Sequence, residues 1–204
     1  MSFSKNKKQG IGFFKIIFCL LANFVCFGIC YYCGLPMRLE NVGTYFAAAA
    51  FGMAPAIVIA VISNLVYSLF YFGFSNVLML VPTILVVLII VAAVQYGWVD
   101  TMITSLGTMT VAAIVNMIFV FLISLLIGRA FLGNSGWLEV YDALGRHLRY
   151  HRFEASMFTV APFAVFNTCF SWIVALFVYR ISPKQTTFGF SDNINYKKRL
   201  QNRK

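Results

Sequence analysis

Charge is what this chain has least of: 11% of its 204 residues are charged, and only 6 of them are acidic against 16 lysines and arginines. A soluble domain keeps about a quarter of its residues charged. With 61% hydrophobic content, so little charge excludes a soluble protein and implies an integral membrane one. No acid or base lies deep inside an apolar run, which argues against a proton relay, a voltage sensor or an ion-coupled transporter. Catalytic signatures are missing too. There is no P-loop and no G-x-S-x-G, so energised transport would need an ATP-hydrolysing partner. His147 and His151 stand four apart with Glu154 three further on, a spacing that can ligate zinc on a helix. The glutamate of H-E-x-x-H is absent, however, since Leu148 and Tyr150 occupy those places, and an arginine-rich solvated face accounts for the pair. Neither an enzyme, a cofactor, a metal nor a nucleic-acid partner is expected.

Cysteines are few and clustered. Cys19, Cys26, Cys30 and Cys33 fall near one face of the first apolar run, with Cys169 in the last. Cys30-x-x-Cys33 invites a redox or metal reading, but no second C-x-x-C completes a four-thiolate site. Packing as small apolar residues is the plainer account.

What fills the chain is apolar sequence, in runs at about 11–35, 43–72, 75–97, 101–131 and 155–181. Most exceed the roughly 20 residues that a membrane span needs. Lys5, Lys7 and Lys8 precede the first run as in a signal peptide, yet it is long and ends in CYYCGLP without an A-x-A-like cleavage site. It reads as a retained span. The second run, NVGTYFAAAAFGMAPAIVIAVISN, is broken at GMAP. Thr44 to Phe51, at about 1.5 Å per residue, cannot cross a hydrocarbon core about 30 Å thick. Broken helices at membrane depth need protein or a water-filled cavity to satisfy the freed backbone, and they often mark ligand sites.

Every lysine lies in residues 5–15 or 184–204, which makes both tails cytoplasmic by the positive-inside rule. Only an even number of crossings allows that. The expectation is an all-α polytopic membrane helix bundle, one domain over 1–204. It has six transmembrane helices with a short broken helix 2 and both termini cytoplasmic, in a bacterial or archaeal plasma membrane. The spans are about 11–35, 43–52, 54–72, 75–97, 101–131 and 155–181, with a polar insert at 132–154 and a basic tail at 182–204.

Within the insert, Gly-Asn-Ser-Gly signals a turn, and Leu138, Tyr141, Leu144 and Leu148 then follow at helical spacing, as in an amphipathic helix at the outer interface. The tail KKRLQNRK can attract anionic membrane lipid at about 1 kcal/mol per basic residue. Gly52, Ala56 and Ala60 recur every four positions, the spacing of close helix packing in lipid. That stripe either packs inside the protein or forms a docking face for a partner's membrane helix. Amides stand in mid-span at Asn23, Asn64, Gln95, Asn116 and Asn167. An amide in lipid is costly without a partner, so these face the bundle interior. Hydrogen bonds between helices, worth about 0.6–2 kcal/mol each, are the plain account. Several amides converging on one cavity would instead suit a neutral or zwitterionic heterocyclic ligand.

Taken in order, ENVGTYFAAAAFG, APAIVIAVISNLV, AAIVNMIFVFLISLLIG, GNSGWLEVYDAL and a final span closing at YRISP resemble the substrate-binding S component of energy-coupling factor (ECF) transporters. The alternative resemblance is to the related membrane domain found fused to some bacterial sensor proteins. The resemblance spans about Leu35 to Pro183. It implies six helices, cytoplasmic ends, and a vitamin-sized, water-soluble nutrient held near the outer face for uptake by a transmembrane coupling subunit and ATPases. The residues it carries over as substrate-binding are Glu40, Asn41 and Thr44, Asn64, Asn116, and Asn134 with Trp137. Docking is assigned to Gly52, Ala56 and Ala60. KIIFCLLANFVCF lacks the alanine-x-x-x-alanine face by which many S components meet their coupling subunit. Where many relatives start the last span with an Asp-Lys pair before a Ser, this chain reads Phe166-Asn167-Thr168-Cys169-Phe170-Ser171. A non-transporting sensor or scaffold with the same fold is therefore the alternative.

Overall fold

A computed structural model describes residues 3–35, 37–127, 136–147 and 152–182. Among them the ordered elements are all helical: α1 (Phe3–Tyr32), α2 (Val42–Ala50), α3 (Met53–Tyr67), α4 (Leu80–Gln95), α5 (Met102–Ile127), α6 (Gly136–His147) and α7 (Arg152–Ile181). Five stretches, Phe13–Tyr32, Met53–Tyr71, Val77–Gln95, Met102–Leu126 and Phe153–Ile181, are each long and apolar enough to cross a membrane. The chain is a multi-pass helical bundle of membrane character.

The short helix α2 is its centre. All nine of its residues are buried, and it touches α1, α3, α4 and α7. Four consecutive alanines, Ala47 to Ala50, present so little side chain that these neighbours can close around it. The helix stops where the sequence breaks. The N–H groups of Phe51 and Gly52 both turn back to the Ala47 carbonyl, at 2.8 and 3.0 Å. Gly52 then takes φ 92°, a conformation that favours a residue without Cβ. Pro55 follows within the first turn of α3, where its missing N–H leaves no helical bond unmade.

Side-chain pairs fix the helix directions. Asn23 meets Ser63, Phe24 meets Tyr67 and Phe27 meets Tyr71, so α1 and α3 run parallel. Between them the chain returns: Gly43 lies against Asn23 while Lys15 sits over the Phe51 ring at 5.1 Å. Residues 37–41 therefore lead into α2 at about the mid-height of α1. α5 and α7 are antiparallel, with Asn116 beside Thr168 and Phe121 beside Phe153. Ile16, Phe51 and Tyr179 join one large apolar cluster around Tyr45, Ile59, Ile90 and Trp172. The N-terminal half of α1 and the C-terminal end of α7 thus share one end of the bundle. A smaller cluster of Met79, Val120, Val160 and Phe163 occupies the other end, covered by Tyr141 of α6.

Two features bear on the sequence expectations. Ala56 and Ala60 are 0% exposed in the apolar interior, where they pack against helices of this chain, while Gly52 is half-buried. And although no charge lies deep within an apolar run, Arg38, at 5% exposure, is buried, because the segment between α1 and α2 folds back into the bundle.

Candidate functional site

Two groups of buried polar side chains begin at the N-terminus of α2. The first centres on Asn23 of α1, which is fully buried. Its Nδ2 donates to Thr44 Oγ1 and to Ser63 Oγ, both at 2.9 Å, while Oδ1 accepts from the Gly43 N–H at 2.6 Å and the Thr44 N–H at 3.3 Å. Those two N–H groups are in the first turn of α2, where the helix itself supplies no acceptor. One side chain of α1 therefore caps α2 and ties it to α3. The approach is close enough that a Cβ on Gly43 would overlap the backbone carbonyl of Cys19.

The second group lies one turn away, where a narrow cleft opens between the 37–41 segment, the start of α4, α5 and α7. Its polar wall is Glu40, Asn41, Thr83, Asn116 and Asn167. Its apolar wall is Met79, Pro82, Val120, Phe163 and Ala164. Each amide is positioned by its helix neighbours. Asn116 donates Nδ2 to Thr168 Oγ1 at 2.8 Å and to the Ala164 carbonyl at 3.4 Å. Asn167 accepts at Oδ1 from the Arg38 and Leu39 N–H groups, at 3.3 and 2.9 Å, and so clamps the descending segment to α7. Leu39 adopts φ 49°, left-handed for a non-glycine residue, at that clamp. Asn41 is the N-cap residue of α2, yet its side chain makes no capping bond. Thr83 is spent on the Met79 carbonyl of its own helix.

Charge enters through the same segment. The Arg38 guanidinium stacks over the Phe163 ring, 5.1 Å from its centroid, and interacts electrostatically with Glu40. Glu40 also sits just before the positive end of α2. Both effects offset part of the cost of enclosing a carboxylate. Glu40 Oε2 is buried with no hydrogen-bond partner among the described residues, as is the Tyr67 hydroxyl, which is near enough to interact with the Glu40 charge.

Of the residues singled out from sequence, Glu40, Asn41 and Asn116 share the cleft wall. Thr44 is held by Asn23 instead. Asn64 turns its Nδ2 to the Ala60 carbonyl of its own helix at 2.9 Å and does not line the cleft. Asn134 lies outside the described residues, as does His151; Trp137 falls in the first turn of α6, and His147 ends it. Two residues were missing from the expected site. Asn167 carried a signal, an amide in mid-span, whereas Arg38 carried none, because nothing local marks a loop that descends into the bundle. Among the described residues no group of three His, Cys, Asp or Glu could hold a metal ion. Compared with known proteins, the chain matches no family model, no curated protein and no solved structure.

Proposed function

We propose that this protein captures a small water-soluble solute of vitamin size in the membrane, as an S component does, and passes it to an ATP-driven partner complex. The supporting observation is the convergence of Glu40, Asn41, Asn116 and Asn167, from three separate parts of the chain, on one cleft. Polar groups in lipid gather in this way where they bind each other or a ligand. With the 37–50 segment counted as a sixth crossing beside the five long apolar helices, both basic tails fall on the cytoplasmic side. In that orientation the cleft faces outward and α6 lies at the outer surface.

The cleft volume is about 20 Å³, room for a water, whereas small-molecule pockets hold about 300–1,000 Å³. Capture therefore requires widening. The segment at 37–41, held to α7 by the two Asn167 bonds, is the wall with least regular structure. Native mass spectrometry of the detergent-purified protein tests the reading: a vitamin-sized adduct is expected, and Asn116→Leu should abolish it. Protein that is ligand-free after purification under mild conditions removes nutrient capture.

Burial of Ala56 and Ala60 favours a second reading, a sensor or scaffold that needs no coupling subunit. Co-purification of a transmembrane subunit and ATPases with the tagged chain from its native membrane decides between them. A basic-tail deletion that alters signalling but not solute accumulation would favour the sensor.

A further inference from the structure

We infer that the ligand of this cleft presents N–H donors from a positively charged amine- or amidine-type group, and that Glu40 receives it. The inference rests on the capture reading above and adds the chemical class. It follows from which hydrogen-bonding groups remain after the protein has used its own. Asn116 spends its N–H bonds on Ala164 and Thr168, leaving Oδ1, an acceptor, as the group it can offer. Asn167 spends Oδ1 on the descending segment, leaving Nδ2. These amide orientations are fixed by their partners: Ala164 presents a carbonyl, and Arg38 and Leu39 present N–H groups.

Glu40 adds a carboxylate oxygen, Oε2, that is buried and has no hydrogen-bond partner among the described residues. The available set is thus acceptor-rich, with the Glu40 carboxyl at the cleft wall and a single fixed donor. A carboxylate facing N–H groups of a cation makes the strongest bond this set allows. An anionic ligand would meet the Glu40 carboxyl directly, since Glu40 lines the cleft and Arg38, which interacts with it, does not. The ligand's remaining surface is apolar in part, because Met79, Pro82, Val120 and Phe163 form the opposite wall.

Four probes of one shape and different head groups test this on the detergent-purified full chain: benzamidine, benzylamine, benzamide and benzoate, each titrated while the thermal unfolding midpoint is followed. Ligand that binds the folded state raises the midpoint with concentration. Benzamidine and benzylamine are expected to do so, benzamide more weakly, and benzoate not at all. In Glu40→Gln the two cations should bind about tenfold more weakly, converging on benzamide. The ranking in the unaltered protein needs no variant, so the test survives if Glu40→Gln does not fold. Benzoate stabilising as well as benzamidine, no shift with any probe, or a cation preference that persists in Glu40→Gln each overturns the inference. A co-purified adduct lost in Asn116→Leu but kept in Glu40→Gln would also overturn it while leaving solute capture intact.

Discussion

Asn23 and the pair Asn116 and Asn167 are all buried amides in mid-helix, yet they end in opposite states. Asn23 has both donor hydrogens and its oxygen engaged by protein, and every partner lies within the α1, α2, α3 corner. Asn116 and Asn167 each use one end of the amide for the fold and turn toward a cleft with the other. A polar group inside a membrane bundle is therefore ambiguous until its hydrogen bonds are assigned. Complete satisfaction fits a structural joint, whereas a remainder facing a cavity leaves a polar group open to a further partner, the basis of the capture proposal.

If the corner at Asn23 is purely structural, damage there should be the most severe in the molecule and should not depend on any solute. Gly43→Val is expected to be the worst substitution, because its side chain meets the Cys19 backbone, which cannot rotate away. Folded, monodisperse protein should be lost on size-exclusion chromatography. Asn23→Leu comes next. It strands the N–H groups of Gly43 and Thr44 and the hydroxyls of Thr44 and Ser63 in a dry interior, at about 1–3 kcal/mol for each unsatisfied group. A large fall in the unfolding midpoint is expected, and Asn23→Leu at the unaltered midpoint would erase the distinction between the two sites.

The cleft should respond differently. Asn167→Leu removes the one acceptor shared by the Arg38 and Leu39 N–H groups. A stability loss of about 1–3 kcal/mol is expected, smaller than at Asn23. Its main effect should be faster hydrogen exchange across 37–41, with α2 still protected. Exchange that is unchanged there, or that rises equally throughout α2, would show that Asn167 does not hold the segment.

The difference also explains what could be read in advance. The GMAP break was legible because Gly52 and Pro55 act through local backbone rules, and α2 indeed ends at Ala50. Four of the five amides, Asn23, Asn64, Asn116 and Asn167, were legible as interior residues, because an unpaired amide is costly in lipid, whereas Gln95, the last residue of α4, is exposed. Which of them would be satisfied was not legible. Asn23 and Ser63 are 40 residues apart and Arg38 and Asn167 are 129 apart, so their pairing follows from how the helices pack. Arg38 shows the limit most clearly: its sequence neighbourhood reads as a surface loop, and only the descent of 37–41 beside α7 buries it.

Asn64 supplies the mildest and most discriminating check. From sequence it stands beside Asn116 as a candidate ligand contact, but its side chain donates to the Ala60 carbonyl, four residues back in α3. Such a bond satisfies a side chain that the helix could do without, since the Ala60 carbonyl already has the usual i+4 backbone donor available to it. Replacing Asn64 by leucine removes one polar group and strands none. The unfolding midpoint should move little, by less than about 1 kcal/mol in stability, and any co-purified solute should remain bound. Should Asn64→Leu instead release the solute as Asn116→Leu does, α3 would have to contribute to the cleft when it widens, and the line drawn between satisfied and unsatisfied amides would need to move.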